Sequence, residues 1–242
     1  MKKLLFILLA LPVTVFASTE LKLDHAPVNV HDHESLQRGA RVFVNYCLNC
    51  HSAGYMRYNR MQDIGLTEAQ IKDNLLYAAS KPGELMKVSM SSKEAKEWFG
   101  AAPPDLTVIA RSRGADWVYT YLRGFYRDAT RPTGWNNTVF DKVGMPHALQ
   151  ELQGHQVPVY RMETDHEGKQ HEVIEGMELV KPGKLTQAEY DATVADLVNY
   201  LVWMGEPAQA QRMNIGLIVI LFLGVFLVVA FYLKKEYWKD IH

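Results

Sequence analysis

Nineteen consecutive residues near the C-terminus, "IGLIVILFLGVFLVVAFYL" from Ile215 to Leu233, carry no charge. Wound as an α-helix they rise about 28 Å, the depth of a bilayer's hydrocarbon core. Backbone groups at that depth must be satisfied within the segment, and one isolated segment does so only as a helix. The run therefore predicts a single span, placed at 213–233, with a short tail at 234–242; a buried core helix is its other home. Lys234, Lys235 and Lys239 follow the run against Arg212 before it, so the positive-inside bias puts the tail in the cytoplasm. Tyr232, Tyr237 and Trp238 suit a membrane interface.

The chain opens "MKKLLFILLALPVTVFAS". Lys2 and Lys3 form a basic start, an apolar run follows, and Val15-Phe16-Ala17 offers small residues for a peptidase. This reads as a secretory signal, residues 1–17, cut after Ala17. An uncleaved anchor is the alternative, disfavoured by the short run and Pro12. Export would place residues 18–212 in an oxidising compartment.

That middle region holds 21 basic and 25 acidic side chains, a formal charge of −4. It has no basic stripe and no nucleic-acid-reading motif, so nucleic acid is not an expected partner. Leu36, Ala40, Phe43, Val44 and Cys47 fall on one helical face. Tyr190, Val194, Leu197, Val198 and Leu201 form another, opened by a capping box of Thr186 and Glu189 and stopped by Gly205 and Pro207. A further helix is expected over 116–124. "VPVYRM" and "HEVIEGMELV" flank "ETDHEGKQ" and suggest a strand pair turning near Gly168.

The two cysteines of the chain stand in "YCLNCHSAGYMRY", with His51 directly after the second. Three chemistries use Cys-x-x-Cys. Structural zinc needs four ligands, hence His51 plus a distant histidine. A redox disulfide of this spacing usually follows a strand in a βαβ unit, whereas Cys47 follows a helix. Cys-x-x-Cys-His is also the attachment pattern of c-type haem, the thiols bonding two vinyl groups and the histidine serving as proximal ligand. The exported location and the lack of further cysteines favour covalent haem, with no disulfide between Cys47 and Cys50. Tyr46 and the Ser52–Tyr58 stretch are then expected to pack around the haem edge.

A methionine usually completes such an iron when it transfers electrons. Eight lie between residues 18 and 212. Met56 is too near His51 to cross to the other haem face, Met204 belongs to a helix core, and Met61, Met86, Met90, Met162 and Met177 have no distinguishing context. Met145, in "KVGMPH", precedes a proline that keeps it extended, as a strap over a haem would be. His147 is the rival, although a histidine in such a polar loop is expected to be solvated. His155, His166 and His171 are scattered and are expected to face solvent.

"SLQRGARVFVNYCLNCHS" and, more narrowly, "AAPPDLTVIARSRGADWVYTYLRGFYRD" resemble segments of the cytochrome c1 family, the haem-c subunits of quinol–cytochrome c reductase (the bc1 complex). The resemblance covers nearly all of the chain after the signal. It implies a mainly α, cytochrome c-like haem domain with long loops and a possible small β-hairpin, plus one C-terminal transmembrane helix. One haem c would be bound through Cys47 and Cys50, with His51 and Met145 as axial ligands. Arg113 would bond a propionate, Trp117 would stand where the family often has tyrosine, and Pro103 and Pro104 would wall the haem. It further implies a place in the inner membrane of a proteobacterial cell with the haem domain periplasmic. The partners would be cytochrome b, a Rieske iron–sulfur protein and a c-type cytochrome acceptor. No residue would act as an acid or base; the chain would carry electrons within the reductase. A membrane-anchored cytochrome serving an oxidase or another dehydrogenase is the alternative. The six carboxylates from Glu163 to Glu178 against Lys169 leave two readings, a docking face for a basic cytochrome or a solvated hairpin.

Overall fold

A computed structural model describes residues 22–164 and 168–240. The expected signal, residues 1–17, lies outside the described residues. The chain is mainly helical, with strands confined to three antiparallel pairs. Two helices form the frame. Helix α1, His33–Val42, is capped by Asp32, whose side chain accepts from the Ser35 amide. The Thr186–Glu189 capping box starts α7, Gln187–Gly205, as expected, with Glu189 Oε2 accepting from the Thr186 amide at 2.8 Å.

The two helices pack at close range, and Gly39 permits it. A Cβ there would come 2.1 Å from the Asp196 carbonyl oxygen and 2.7 Å from the Tyr200 Cβ. Arg38 makes a forked pair with Asp196, at 2.6 and 3.0 Å, across the same seam. Asn199, buried on α7, donates to the Asn29 carbonyl and the Ser35 hydroxyl and accepts from the Asn29 amide. Its polarity is therefore matched inside the core. Tyr190, Val194, Leu197, Val198 and Leu201 are all buried, confirming the face expected from their spacing.

After α1 the helix widens into a π turn, Phe43–Cys47. The expected face is kept, with Leu36, Ala40, Phe43 and Val44 buried, but its last turn is not α-helical. Phe43 packs against Tyr200, ring centroids 5.6 Å apart. Short elements follow: β1, Ala53–Arg57; α2, Glu68–Asn74; β2, Leu85–Met86; and α3, Ser92–Phe99. β1 and β2 pair antiparallel.

Helices α4, Ile109–Arg113, and α5, Ala115–Arg123, lie next, α5 close to the expected bounds. Both pack on α7. Tyr190 donates to the Leu122 carbonyl at 2.8 Å, and Arg123 forks onto Asp191 at 2.6 and 3.1 Å. Strands β3, Phe125–Arg127, and β4, Trp135–Asn137, pair and carry a second small core of Phe125, Trp135 and Val143. A short helix α6, Gln150–Gln153, leads into the expected hairpin, β5, Gly154–Thr164, and β6, Gln170–Pro182.

The last helix, α8, runs Gln209–Tyr237. Its apolar part, Asn214–Tyr237, has mean hydropathy 3.0 and none of it is buried against the rest of the chain. Leu217, Phe222 and Leu227 are exposed. A helix of that length and composition, not packed against the described domain, is suited to cross a membrane.

Candidate functional site

The cysteine motif is a tight turn. The Cys50 and His51 amides both bond the Cys47 carbonyl, at 3.1 and 2.8 Å, which draws Cys47, Cys50 and His51 together. The two thiols are free. Burial, with Cys50 beside it, pushes the Cys47 thiol up to about 12. His51 is 8% exposed. Its Nδ1 lies 2.8 Å from the Pro104 carbonyl oxygen. That bond commits Nδ1 as the N–H, so Nε2 is the nitrogen left free as a ligand. Burial lowers the His51 pKa, against the opposing pull of the Pro104 carbonyl and Asp105.

The Pro103-Pro104-Asp105-Leu106 segment is stitched to the strand after the motif. Leu106 N–H donates to the Ser52 carbonyl at 2.8 Å. Asp105 accepts from the Gly54 amide at 2.6 Å and from the Thr107 amide and hydroxyl at 2.8 and 2.6 Å. The carboxylate thereby sets the position of the Pro104 carbonyl one residue away.

A cavity of about 350 Å³ opens beside this turn, within the usual size of small-ligand sites. Cys47, Cys50, His51, Pro103, Pro104, Arg113, Trp117 and Met145 all line it. Every site residue expected from the sequence is therefore brought to one space, from four separate stretches of chain. Leu106, Ile109, Val118, Leu197 and Leu201 add an apolar wall. Arg113 sits at the exposed edge with its guanidinium 5.2 Å from the Trp117 ring centroid. Arg111 turns away to pair with Glu206 at 3.2 Å.

Met145 lies on the loop after β4. Two buried asparagines shape that loop. Asn136 donates to Asp128 and Asp141 and accepts from the Asn137 and Lys142 amides. Asn137 donates to the Tyr121 carbonyl at 2.8 Å and accepts from the Val139 and Phe140 amides. The Met145 sulfur accepts from the Tyr121 hydroxyl at 3.4 Å. The sequence reading did not single out Tyr121, Asn136, Asn137 or Asp105. The one local signal was the adjacent asparagine pair, a residue type that folds turns through its own side chain.

Three expectations are corrected. His147 is not solvated but 2% exposed. It stacks on Phe125 at 4.8 Å and meets the Trp135 edge at 5.0 Å, and burial holds its pKa down to about 4. It is absent from the cavity lining, where Met145 stands. His155 is half-buried against Trp135, 5.3 Å away, while His171 is exposed as expected and His166 lies outside the described residues. Finally, of Tyr46 and Ser52–Tyr58, only Tyr46 lines the cavity. Tyr55 is 85% exposed, and Met56 and Tyr58 belong to the main core.

Two thiols and an imidazole at c-type spacing, lining the same largely apolar cavity as a thioether, suit a covalently held haem: sulfur and nitrogen donors and apolar walls match iron and porphyrin. On a chain with an unpartnered apolar helix, this is the site of a membrane-anchored c-type cytochrome.

Comparison with known proteins narrows the class. The model of the Cytochrome C1 family matches residues 24–87 and 79–241. The chain is 48% identical to cytochrome c1 of Allochromatium vinosum and 50% identical to a protein of Nitrosomonas europaea named ammonia monooxygenase gamma subunit, over the full length of each. It is 26% identical to cytochrome c1 of Rhodospirillum rubrum, over 87% of this chain and 83% of that one. The chain belongs to the cytochrome c1 family, as the segments around Cys47 and Pro103 imply.

Proposed function

We propose that this chain is the electron-relay subunit of a quinol–cytochrome c reductase. It would take electrons from a Rieske iron–sulfur protein and pass them to a c-type cytochrome, with cytochrome b as its membrane partner. A haem bound through Cys47 and Cys50 would supply the one-electron chemistry. The observation that carries this reading is that Met145, 94 residues after His51, lines the same cavity as Cys47, Cys50 and His51.

The residues divide the work. Cys47 and Cys50 fix the porphyrin edge. His51 and Met145 would hold the iron, and the Pro104 carbonyl keeps the imidazole in one tautomer and orientation. Pro103 and Pro104 form a wall. Arg113 would answer a propionate with a planar fork, with Trp117 against it to position the guanidinium and to offer an indole N–H. No side chain moves a proton. The signal, residues 1–17, would be removed, residues 18–212 would stand in the periplasm, residues 213–233 would cross the inner membrane, and residues 234–242 would remain in the cytoplasm.

The name of the Nitrosomonas relative raises a second reading, oxygen chemistry. That needs an iron with an open position, which a Met145 thioether would close. A membrane-anchored cytochrome serving an oxidase or another dehydrogenase is the remaining alternative. Purification in mild detergent with haem staining on a denaturing gel decides among these. The relay reading expects a stained band of this chain's size, copurifying with cytochrome b and a Rieske protein, and loss of quinol–cytochrome c reductase activity when the gene is deleted. A stained chain that purifies without those subunits, with the activity intact in the deletion, would overturn it.

A further inference from the structure

We propose that Tyr121 is a positioning and tuning residue for the iron, acting through a hydrogen bond from its hydroxyl to the Met145 sulfur. The inference rests on the reading of Met145 as axial ligand. Four observations carry it. The Tyr121 hydroxyl lies 3.4 Å from the Met145 sulfur. The ring that delivers it is held on two sides, stacked on Trp117 at 4.9 Å and 11° and edge-on to Phe125 at 5.1 Å and 71°. The backbone carbonyl of the same residue accepts from Asn137 at 2.8 Å. Tyr121 therefore ties both ends of the loop that carries Met145, one end through its carbonyl and the other through its hydroxyl. Lastly, Tyr121 itself lines the cavity.

The chemistry follows from the lone pairs of a thioether. Sulfur has two, and is a weak acceptor. One can bind iron while the other accepts from the phenol. A hydroxyl on the second pair draws electron density from sulfur and makes it a poorer donor. Ferric iron depends on that donation more than ferrous iron does. The bond therefore favours the reduced state and raises the potential, an outer hydrogen bond tuning a metal through its ligand. It would also fix which side of the sulfur is left for a metal.

The test compares Tyr121→Phe with wild type in the assembled, membrane-bound protein, with Tyr190→Phe as control. Tyr190, on α7 and absent from the cavity lining, loses a buried hydroxyl bonded to the Leu122 carbonyl and not to the sulfur. Haem content, the sulfur-to-iron charge-transfer band of the oxidised form, melting temperature and midpoint potential are measured. Tyr121→Phe is expected to keep its haem and its band while its reduction equilibrium falls about threefold, or ~28 mV at 59 mV per tenfold for one electron. Tyr190→Phe is expected to melt earlier with its midpoint unmoved. An intact band with an unmoved midpoint in Tyr121→Phe, or an equal fall in both variants, overturns the role of Tyr121 alone. Absence of the band in wild type overturns Met145 as ligand, and this inference with it. Should Tyr121→Phe fail to accumulate, the iron–sulfur stretching frequency of wild type in H2O and D2O replaces it. A shift on exchange is expected, and no shift overturns the hydrogen bond.

Discussion

His51 and Met145 are each held in place by a neighbouring segment that hydrogen bonds fix. For His51 it is the one bearing the Pro104 carbonyl, fixed by a stiff proline backbone and by Asp105 gripping β1. For Met145 it is the loop, whose shape depends on Asn136 and Asn137. Asn137→Ala would leave the Val139 and Phe140 amides without a partner and cost the Tyr121 carbonyl one of its two bonds, the Gly124 amide remaining. A loss of about 1–3 kcal/mol in unfolding free energy is expected, together with a lower midpoint potential as the strap slackens; redox titration and thermal melting check both. Asp128 contributes through the same loop. Hydrogen bonds from the Thr130 hydroxyl and amide, and from Asn136, hold its pKa below the ordinary carboxylate range. A depressed carboxylate stabilises above its unfolded pKa, ~3.9, and that stability is lost as pH falls through the folded value. Acid melting curves should thus show wild type losing more stability below about pH 4 than Asp128→Asn. Cys47, Cys50 and His51 were legible as a group because they share one short motif whose chemistry is local, whereas Met145 was singled out by the resemblance of its loop. The asparagines, whose partners are mostly near in sequence, signalled only a turn, and Tyr121 was not legible, because its partners Asn137 and Met145 lie 16 and 24 residues away. His147 was misjudged for the same reason: its polar neighbours in sequence say nothing of Phe125 and Trp135, which enclose it.

At the level of elements, the seam of α1 against α7 is what aims the cysteine motif. Gly39 brings the two backbones together, and the π turn that follows carries Cys47 to the cavity. A π turn shifts the helical phase by one residue and recurs at functional sites, which is why a regular periodicity located the face but missed the widening. Gly39→Ala drives a methyl into the Asp196 carbonyl. Overpacking of that kind costs typically about 1–3 kcal/mol, and the displacement would pass along Phe43 and Tyr200 to the motif. Lower melting temperature and reduced haem retention are expected in Gly39→Ala, measured against Arg38→Ala, which loses the exposed ion pair but leaves the seam closed. The capping box and the hairpin were legible because Thr-x-x-Glu and a glycine turn with flanking alternation are complete local signals. Gly168 takes φ +80 at that turn.

Taken whole, the molecule joins a folded haem-binding domain to an apolar helix that makes no use of the domain's core. The anchor was the most legible part of the chain, since length and lack of charge suffice to define it. The hairpin is a different matter. Glu163, Glu172, Glu175 and Glu178 are exposed, and Glu163 is already paired with Arg161 at 3.2 Å. Neutralising these four is expected to leave the salt dependence of electron transfer to the acceptor cytochrome unchanged; a flatter dependence in the variant would make the hairpin a docking face. The central claim is narrower: one iron held between His51 and Met145. Carbon monoxide binding to the ferrous protein at neutral pH, in wild type and in Met145→Leu, tests it most directly. The account predicts no binding in wild type, ready binding in Met145→Leu, and a lower midpoint potential in that variant. Binding by wild type, or a Met145→Leu protein whose spectrum and potential match those of wild type, would contradict it.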